Sequence, residues 1–315
     1  MDKHYADTVR LLLNIAPDVF DNDIFAMKGG TAINLFLRDM PRLSVDIDVV
    51  YLPWQTPRDE ALQAINQELA AIAQRVEPLG VQTRLIRSKD LGDTKLIAEN
   101  ESSQVKVEVN VVFRGTVLPA TRSPLSARTS DLFGVEFDVP TLVPDELYAS
   151  KLVAALDRQH PRDLFDVWQL FESGGLTDAM VECFVVYLAG HNRPTHEVLF
   201  GNDKDITGEY ERAFVGMTEV ACPLDVLLDT RARLRHELPR RLSDAHRQFL
   251  SGLTRAQPDW SLLQCPHADQ LPALRWKFAN LSTFQKRRPK DFIAQADALD
   301  AGLVVGDDLV GDAVG

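Results

Sequence analysis

Two short segments near the start of the chain carry residue types and spacings that suit phosphate and metal chemistry. Gly29 and Gly30 precede Thr31 at the start of a predicted helix, where glycines let the backbone approach a ligand and free N–H groups attract anions. Asp46 and Asp48 follow on a predicted strand, and residues at i and i+2 of a strand share a face with their Cα atoms about 7 Å apart. Such carboxylates repel each other unless a cation lies between them, so Mg²⁺ ions about 3.5–4 Å apart could bind the pair together with a triphosphate. Asp-x-Asp alone is more typical of an exposed strand edge, and its place after a glycine turn makes the metal interpretation more specific.

A third carboxylate, Glu108, lies in the middle of a predicted strand, on the polar face between Lys106 and Asn110. If this strand lies beside the one that carries Asp46 and Asp48, Glu108 could bind a second metal ion or act as a general base. The alternative is an ordinary solvent-facing strand surface, and the sequence leaves both interpretations open.

A later helical region offers a lysine and two aspartates. Lys151 follows the start of a predicted helix by about two turns and could reach the β- or γ-phosphate oxygens of a nucleotide. Asp163 and Asp166 are three residues apart and share a helix face. The alternative is plain helix surface chemistry, with Arg162 and Asp166 forming an ion pair four residues apart.

Alternating and helical patterns predict the elements that position these residues. Strands are predicted at 24–27, 44–51, 81–87, 94–99, 104–113 and 132–138. Helices are predicted at 5–15, where Pro17 should end the helix, and at 31–38, 57–76, 144–156 and 162–171. From Thr177 onward only helical segments are predicted. The fold class is therefore α+β, with a mixed first domain over 1–173, a helical second domain over 174–300 and a disordered tail over 301–315.

The composition limits the function classes. The 315 residues include 34 Lys+Arg and 46 Asp+Glu, which gives a formal charge of −12. A chain this acidic is not a general polyanion binder, because its long-range field repels phosphate backbones. Any contact with nucleic acid must therefore come from a local basic face.

Cysteine usage and the N-terminus exclude further classes. Three cysteines without a CxxC pair argue against a disulfide framework and a zinc knuckle. Cys265 lies two residues before His267, but these two possible ligands are too few to indicate a metal site. The first residues lack a signal-peptide pattern, and no apolar stretch approaches the roughly 20 residues of a membrane helix. These features predict a cytoplasmic protein.

Three of these segments, taken in order, carry a family resemblance. They are Lys28-Gly29-Gly30-Thr31-Ala32, Arg42-Leu43-Ser44-Val45-Asp46-Ile47-Asp48, and Lys151 followed by Arg158 and Arg162-Asp163-Leu164-Phe165-Asp166. Together they resemble the AbiEii/AbiGii-type nucleotidyltransferase toxins of the DNA polymerase β-like nucleotidyltransferase superfamily. The likeness covers roughly residues 20–170, and the Gly-Gly-Thr and Arg-x-Ser-x-Asp-x-Asp block is its most specific part.

The resemblance implies a fold, an activity and a biological role. The fold would be a small mixed sheet flanked by helices, followed by a helical domain. The activity would be magnesium-dependent transfer of a nucleotide from an NTP, in a toxin with a separate antitoxin partner. Some members of the family modify the 3′ end of tRNA, so tRNA is the expected acceptor.

The resemblance also assigns roles to residues of this chain. The residues that would line the triphosphate are Gly29, Gly30, Thr31 and Ser44, and Thr31 stands where the wider superfamily has serine. The residues that would bind metal are Asp46, Asp48 and, on its strand pattern, Glu108. Lys151 would bind nucleotide phosphates. Asp163 would be the later catalytic acid, with Asp166 as the alternative.

Two basic clusters could supply the acceptor surface. The first comprises Arg231, Arg233, Arg235, Arg240, Arg241 and Arg247; the second comprises Lys286, Arg287, Arg288 and Lys290, near Trp276, Phe278 and Phe284. Basic helices with aromatic side chains suit RNA, although solvated faces or an antitoxin-binding surface would have the same composition. Two other function classes stay open: a transferase that modifies a protein or small molecule, and a non-enzymatic module that binds an NTP or an antitoxin.

Overall fold

The computed structural model describes residues 3–87 and 94–308, and the chain forms two compact units. The first comprises Met1–Leu147 and Gly216–Val220, and the second comprises Tyr148–Val215 and Ala221–Gly315. The strap Gly216–Val220 therefore belongs to the first unit, although the chain on both sides of it belongs to the second.

A seven-stranded mixed sheet forms the framework of the first unit. Its strands are β1 (Phe25–Lys28), β2 (Ile47–Tyr51), β3 (Gln82–Arg87), β4 (Thr94–Glu99), β5 (Gln104–Asn110), β6 (Thr121–Pro124) and β7 (Asp138–Thr141). Their order is β3-β4-β5-β2-β1-β7-β6. The β2–β5 and β1–β7 pairs are parallel and the other pairs are antiparallel. The sequence prediction of an α+β fold with a small mixed sheet is confirmed.

Helices of the first unit cover the apolar face of the sheet. They are α1 (Lys3–Val19), α2 (Gly29–Thr31) with its π-helical continuation Ala32–Leu37, α3 (Arg58–Val76) and α4 (Ala127–Phe133). Both α1 and α3 contact the sheet. On β5, Val105, Val107 and Val109 are buried, whereas Glu108 between them is partly exposed. The period of two therefore places the polar residues of β5 on the face opposite the apolar core.

Several predicted boundaries differ from the structure. α1 continues past Pro17 to Val19, because a proline in the last turn leaves only one backbone hydrogen bond unmade. The segment 132–138, predicted as a strand, contains the end of α4, which Ser126 caps at the N-terminus and left-handed Gly134 ends at φ +66°. The strand in this region is β7, and its partner β6 is too short to give an alternating pattern.

The described residues of the second unit form helices joined by loops, with no strand among them. Its helices are α5 (Pro144–Asp157), α6 (Pro161–Glu172), α7 (Asp178–Ala189), α8 (Thr195–Leu199), α9 (Thr207–Ala213), α10 (Leu224–Arg240), α11 (Asp244–Thr254), α12 (Pro272–Arg287) and α13 (Pro289–Asp308). The compact units divide inside α5, at Leu147 and Tyr148, rather than at the predicted 173–174. The reason is that α6 contacts α9 and α10, so it packs with the helices that follow it.

The end of the described chain is helical where the sequence predicts disorder. α13 continues to Asp308, Leu303 is buried, and its carbonyl oxygen accepts a hydrogen bond from Nη1 of Arg247 at 2.7 Å. Residues 309–315 of the predicted tail lie outside the described residues. Across the described part of the chain, none of the helices is both long and apolar enough to cross a bilayer.

Candidate nucleotide site

The turn between β1 and α2 brings backbone against a carboxylate. Gly29 has φ +77°, a left-handed conformation that an L side chain rarely adopts. A Cβ atom added at Gly29 would overlap with Oδ2 of Asp48, and it would lie 3.0 Å from the Asp48 Cγ. The absence of a side chain at Gly29 is therefore what lets the Asp48 carboxylate lie against the first turn of α2.

The neighbouring glycine makes a second close approach. A Cβ atom added at Gly30 would lie 2.6 Å from Nη2 of Arg42 and 2.9 Å from Oγ of Ser44. Arg42 is buried, and its Nη1 donates to the carbonyl oxygen of Leu43 at 2.8 Å. Both glycines of the motif thus contact the segment that contains the two aspartates, although 15 residues separate Thr31 from Asp46 in the chain.

Hydroxyl groups join α2 to this segment. Oγ1 of Thr31 lies 3.1 Å from Oγ of Ser44 and donates to the carbonyl oxygen of Asp46 at 2.5 Å. The Tyr5 hydroxyl accepts a hydrogen bond from the Ser44 backbone N–H at 3.1 Å. Burial raises the pKa of Tyr5, against the opposing effects of this hydrogen bond and the Arg42 charge. The segment is therefore positioned by α1 as well as by α2.

The strap Gly216–Val220 also holds this segment. Arg42 forms an antiparallel bridge with Thr218, and the Leu43 N–H donates to the Met217 carbonyl oxygen at 2.8 Å. A cavity of about 210 Å³ lies beside this contact and is lined in part by Arg42 and Arg128. Local sequence patterns could not reveal the strap, because its pairing spans more than 170 residues.

Sheet register places four charged residues in one row. Lys28 of β1 is the register partner of Asp48 of β2, Asp48 is the partner of Glu108 of β5, and Glu108 is the partner of Lys95 of β4. The strand of Glu108 thus lies directly beside the strand of Asp48, as the third-carboxylate hypothesis requires. However, Nζ of Lys95 lies 3.0 Å from Oε1 of Glu108 and competes with a metal for that carboxylate.

The donor set fits Mg²⁺ bound jointly with a nucleotide. Among residues 3–87 and 94–308, no three His, Cys, Asp or Glu side chains form a preassembled metal site. Mg²⁺ keeps several waters and is usually bound by one or two carboxylates together with substrate phosphates. Asp46 and Asp48 are both partly exposed at the glycine turn and supply that number of carboxylates. Glu108 as a further ligand stays a prediction.

The second unit contains a separate buried ionic cluster. His160 caps α6, with Nδ1 accepting from the Arg162 N–H at 3.1 Å, and this places Asp163 in the first helical turn. Nζ of Lys151, on α5, lies 2.8 Å from Oδ1 of Asp163 and 3.1 Å from Oδ2 of Asp166. All three side chains are at most 6% exposed. Lys151 therefore forms ion pairs with two buried carboxylates at once.

Arg158 completes this cluster. Its Nε and Nη2 donate to the two carboxylate oxygens of Asp163 at 2.5 and 3.0 Å. Burial would raise the pKa of Asp163, but the charges and hydrogen bonds of Lys151 and Arg158 hold it well below its ordinary value. Asp163 is thus an anion at neutral pH and has no proton to donate.

Comparison with known proteins identifies the family. The family model described as "Nucleotidyl transferase AbiEii toxin, Type IV TA system" matches residues 10–280. The chain belongs to the AbiEii family. It is a nucleotidyltransferase toxin of a type IV toxin–antitoxin system, with an NTP as substrate and an antitoxin as partner. The sequence-based family prediction and the prediction of an enzyme are both confirmed.

A solved structure agrees with this fold. The nucleotidyltransferase toxin MenT4 from Mycobacterium tuberculosis H37Rv superposes with a TM-score of 0.58 at 17% sequence identity. The alignment covers 89% of this chain and 95% of that chain, so the likeness extends over both units. The comparison with curated proteins finds no match.

The predicted site residues of this AbiEii toxin fall into two sets. The first unit contains Gly29, Gly30, Thr31, Ser44, Asp46, Asp48 and Glu108; the second contains Lys151, Asp163 and Asp166. Within each set, the contacts described above connect most members. Arg42 and Arg158 occur in the motifs quoted above, but the sequence alone predicts no role for either. No sequence pattern predicts the contact of Tyr5 with Ser44.

The first basic cluster of the AbiEii toxin is engaged within the helical unit. Arg231 is buried, and its Nη1 donates to the Lys204 carbonyl oxygen at 2.7 Å. Nε of Arg235 lies 3.0 Å from Oδ1 of Asp203. The other members also have partners: Arg233 with Glu237, Arg240 with the His236 carbonyl, Arg241 with Asp178 and Arg247 with the Leu303 carbonyl. Sequence composition alone could not show that these charges have partners within the unit.

Proposed function

We propose that this toxin transfers a nucleotide from an NTP to the 3′ end of tRNA in a Mg²⁺-dependent reaction. The observation that carries the proposal is the contact between the left-handed Gly29 and the Asp48 carboxylate. The Asp48 carboxylate, a proposed metal ligand, lies beside the N-terminal turn of α2, where backbone N–H groups favour phosphate. A triphosphate with bound Mg²⁺ has the charges that this arrangement complements.

In the proposed reaction, a hydroxyl oxygen of the acceptor attacks the α-phosphorus of the NTP. The new bond joins that oxygen to the α-phosphorus, the bond to the bridging oxygen of the β-phosphate breaks, pyrophosphate leaves, and the hydroxyl proton passes to solvent water. The backbone of Gly29 and Gly30 and the hydroxyls of Thr31 and Ser44 would orient the triphosphate. Bound Mg²⁺, held by Asp46 and Asp48, would supply charge neutralisation and Lewis acidity.

We propose a supporting role for the buried cluster of the second unit. Lys151 has three N–H donors, and its Nζ lies 2.8 Å from Asp163 Oδ1 and 3.1 Å from Asp166 Oδ2. Family resemblance assigns Lys151 to the nucleotide phosphates. Because Asp163 is held as an anion, it would orient Lys151 and the 62% exposed Arg158 rather than transfer a proton.

The acceptor is proposed from charge and family resemblance together. Local cations are needed for RNA to approach a chain with a net charge of −12. The second basic cluster, Lys286, Arg287, Arg288 and Lys290, is exposed and could meet that need. NTPs and tRNA are cytoplasmic molecules, which places the proposed reaction in the cytoplasm.

Label transfer tests the proposal. The purified protein would be incubated with Mg²⁺, each α-³²P NTP in turn, and tRNA with either an intact or a periodate-oxidised 3′ end. We expect label on intact tRNA from a preferred NTP, and none on oxidised tRNA, which lacks the 3′ hydroxyl. Asp46→Asn keeps the size of the side chain and removes its charge, so it should abolish transfer without unfolding. Label on a protein or a small molecule, with none on tRNA, would contradict the proposed acceptor.

A further inference from the structure

One long exposed face of α12 has an unusual composition for this acidic chain. Residues 272–290 contain six Lys and Arg and no Asp or Glu, within a protein of net charge −12. Lys277 is the buried member, and its Nζ donates to the carbonyl oxygens of His191 and Arg193 at 2.9 and 2.7 Å. The other five cations are exposed, so the excess positive charge lies at the surface.

Helical spacing places the cations and a tryptophan on one side of α12. At about 100° per residue, Arg275 and Lys286 lie within about 20° of each other around the helix axis, and Trp276 and Arg287 do likewise. Between these two ends the same side presents only small or uncharged residues, Ala279, Asn280 and Thr283, all of them exposed. The two charged ends are about 16 Å apart along the axis.

The end of α12 packs against the start of α13. The Phe284 and Phe292 rings meet edge to face, with centroids 6.0 Å apart, and join α12 to α13. Arg288 forms an ion pair with Asp291 at 2.7 Å, whereas Lys290 is exposed in the first turn of α13. We define the α12 face as Arg275, Trp276, Lys286 and Arg287 of α12 together with Lys290 of α13.

We infer that the α12 face is a docking surface for the RNA acceptor, distinct from the residues that bind the nucleotide. This inference rests on the proposed function. Exposed cations would pair with backbone phosphates, and the 40% exposed Trp276 would stack on an unpaired base. A protein partner fits less well, because stable protein interfaces have an apolar centre and Trp276 is the one large apolar side chain that is exposed among the described residues of α12.

Paired variants of the full chain test this inference. Lys286→Ala/Arg287→Ala removes two charges from the α12 face, and Arg58→Ala/Arg212→Ala removes two charges from exposed positions on other helices. Fluorescein-labelled tRNA is the probe, and its binding is measured by anisotropy at several salt concentrations. We expect the first variant to bind tRNA at least about tenfold more weakly, with a salt slope smaller by about 2. The control should match the wild type.

Trp276 provides an independent readout. Trp276→Ala should weaken tRNA binding by about tenfold, and Trp276→Phe should restore most of it, because a phenyl ring still stacks. Unchanged tRNA affinity in both Lys286→Ala/Arg287→Ala and Trp276→Ala would overturn the inference. Equal binding of poly-glutamate and tRNA, with no effect of Trp276→Ala, would overturn it in favour of an acidic protein partner.

The proposed function and this inference fail in different ways. Binding of a fluorescent NTP analogue should be the same in wild type and α12-face variants, because none of the substituted residues belongs to the nucleotide site. If wild-type protein transfers label to a protein or small molecule and binds no tRNA, the proposed acceptor is wrong. If the wild type labels tRNA and the α12-face variants do so with unchanged KM for tRNA, the docking inference alone is wrong.

Discussion

Replacing Gly29 by alanine should separate the catalytic geometry of the glycine turn from its effect on stability. The substitution has two costs. An L residue at φ +77° is strained by about 1–2 kcal/mol, and the new Cβ would overlap with the Asp48 carboxylate. The carboxylate must therefore move, and displacement of a positioned group by about 1 Å can reduce a rate by about 100-fold.

Gly80 offers a matched control within the same unit. Its φ is +74°, close to that of Gly29, but a Cβ atom there would meet nothing within 4 Å. Gly80→Ala should therefore lower the free energy of unfolding through backbone strain alone, by about 1–2 kcal/mol. This loss should lower the Tm by a few degrees. Its transfer activity should stay within about twofold of the wild type, because the Asp48 carboxylate does not move.

Initial rates of label transfer and thermal unfolding measure the two effects separately. We expect Gly29→Ala to lose at least as much stability as Gly80→Ala, and Gly29→Ala alone to lose at least about 100-fold in kcat/KM. A folded Gly29→Ala protein with activity within threefold of wild type would refute the argument. Equal loss of activity in Gly80→Ala would also refute it, since the effect would then follow from strain alone.

Three further predictions concern the buried charges of the second unit. Lys151→Met leaves two buried carboxylates without their ammonium and should lower the free energy of unfolding by about 3–5 kcal/mol; a loss below about 1 kcal/mol in denaturant titrations would contradict this. Because folding lowers the pKa of Asp163, the ionised Asp163 carboxylate stabilises the folded protein at pH values above 3.8, the ordinary pKa of an aspartate. This stabilisation is lost as the pH falls through the lower pKa of the folded state. Asp163→Asn should therefore lose less stability than wild type during acid titration below pH 4. Burial lowers the pKa of Lys277 to about 8 from 10.5, so the unfolded chain binds more protons between these values and stability should rise with pH there. Lys277→Met should lack this rise, which amounts to about 2 kcal/mol between pH 8 and pH 10, when unfolding is compared at these two pH values.

Local pattern was sufficient to predict five of the seven strands, β1 to β5, and the motif at the centre of the sheet. The alternating valines of β5 indicated a strand with a polar face, and the glycine pair before Thr31 indicated a close backbone approach. Both features result from the backbone geometry of neighbouring residues, which a linear sequence displays directly.

Long-range pairing could not be predicted in this way. The strap Gly216–Val220 pairs with Arg42 and Leu43, and nothing in its local sequence distinguishes it from other segments of the helical half. Similarly, the sequence shows that Arg231 is a cation but not that a backbone carbonyl accepts its hydrogen bond. Partners of this kind are determined by packing between elements distant in the chain.

Following the α- and γ-phosphates of the NTP separately shows whether this toxin transfers a nucleotide to tRNA. Parallel reactions with α-³²P and γ-³²P forms of the preferred NTP would contain the same tRNA, with wild-type protein or Asp46→Asn. We expect that the α label joins the tRNA, that the γ label is released as pyrophosphate, and that neither occurs with Asp46→Asn. Transfer of the γ label to tRNA, or undiminished transfer by a folded Asp46→Asn protein, would show that this toxin does not act as the proposed metal-dependent nucleotidyltransferase.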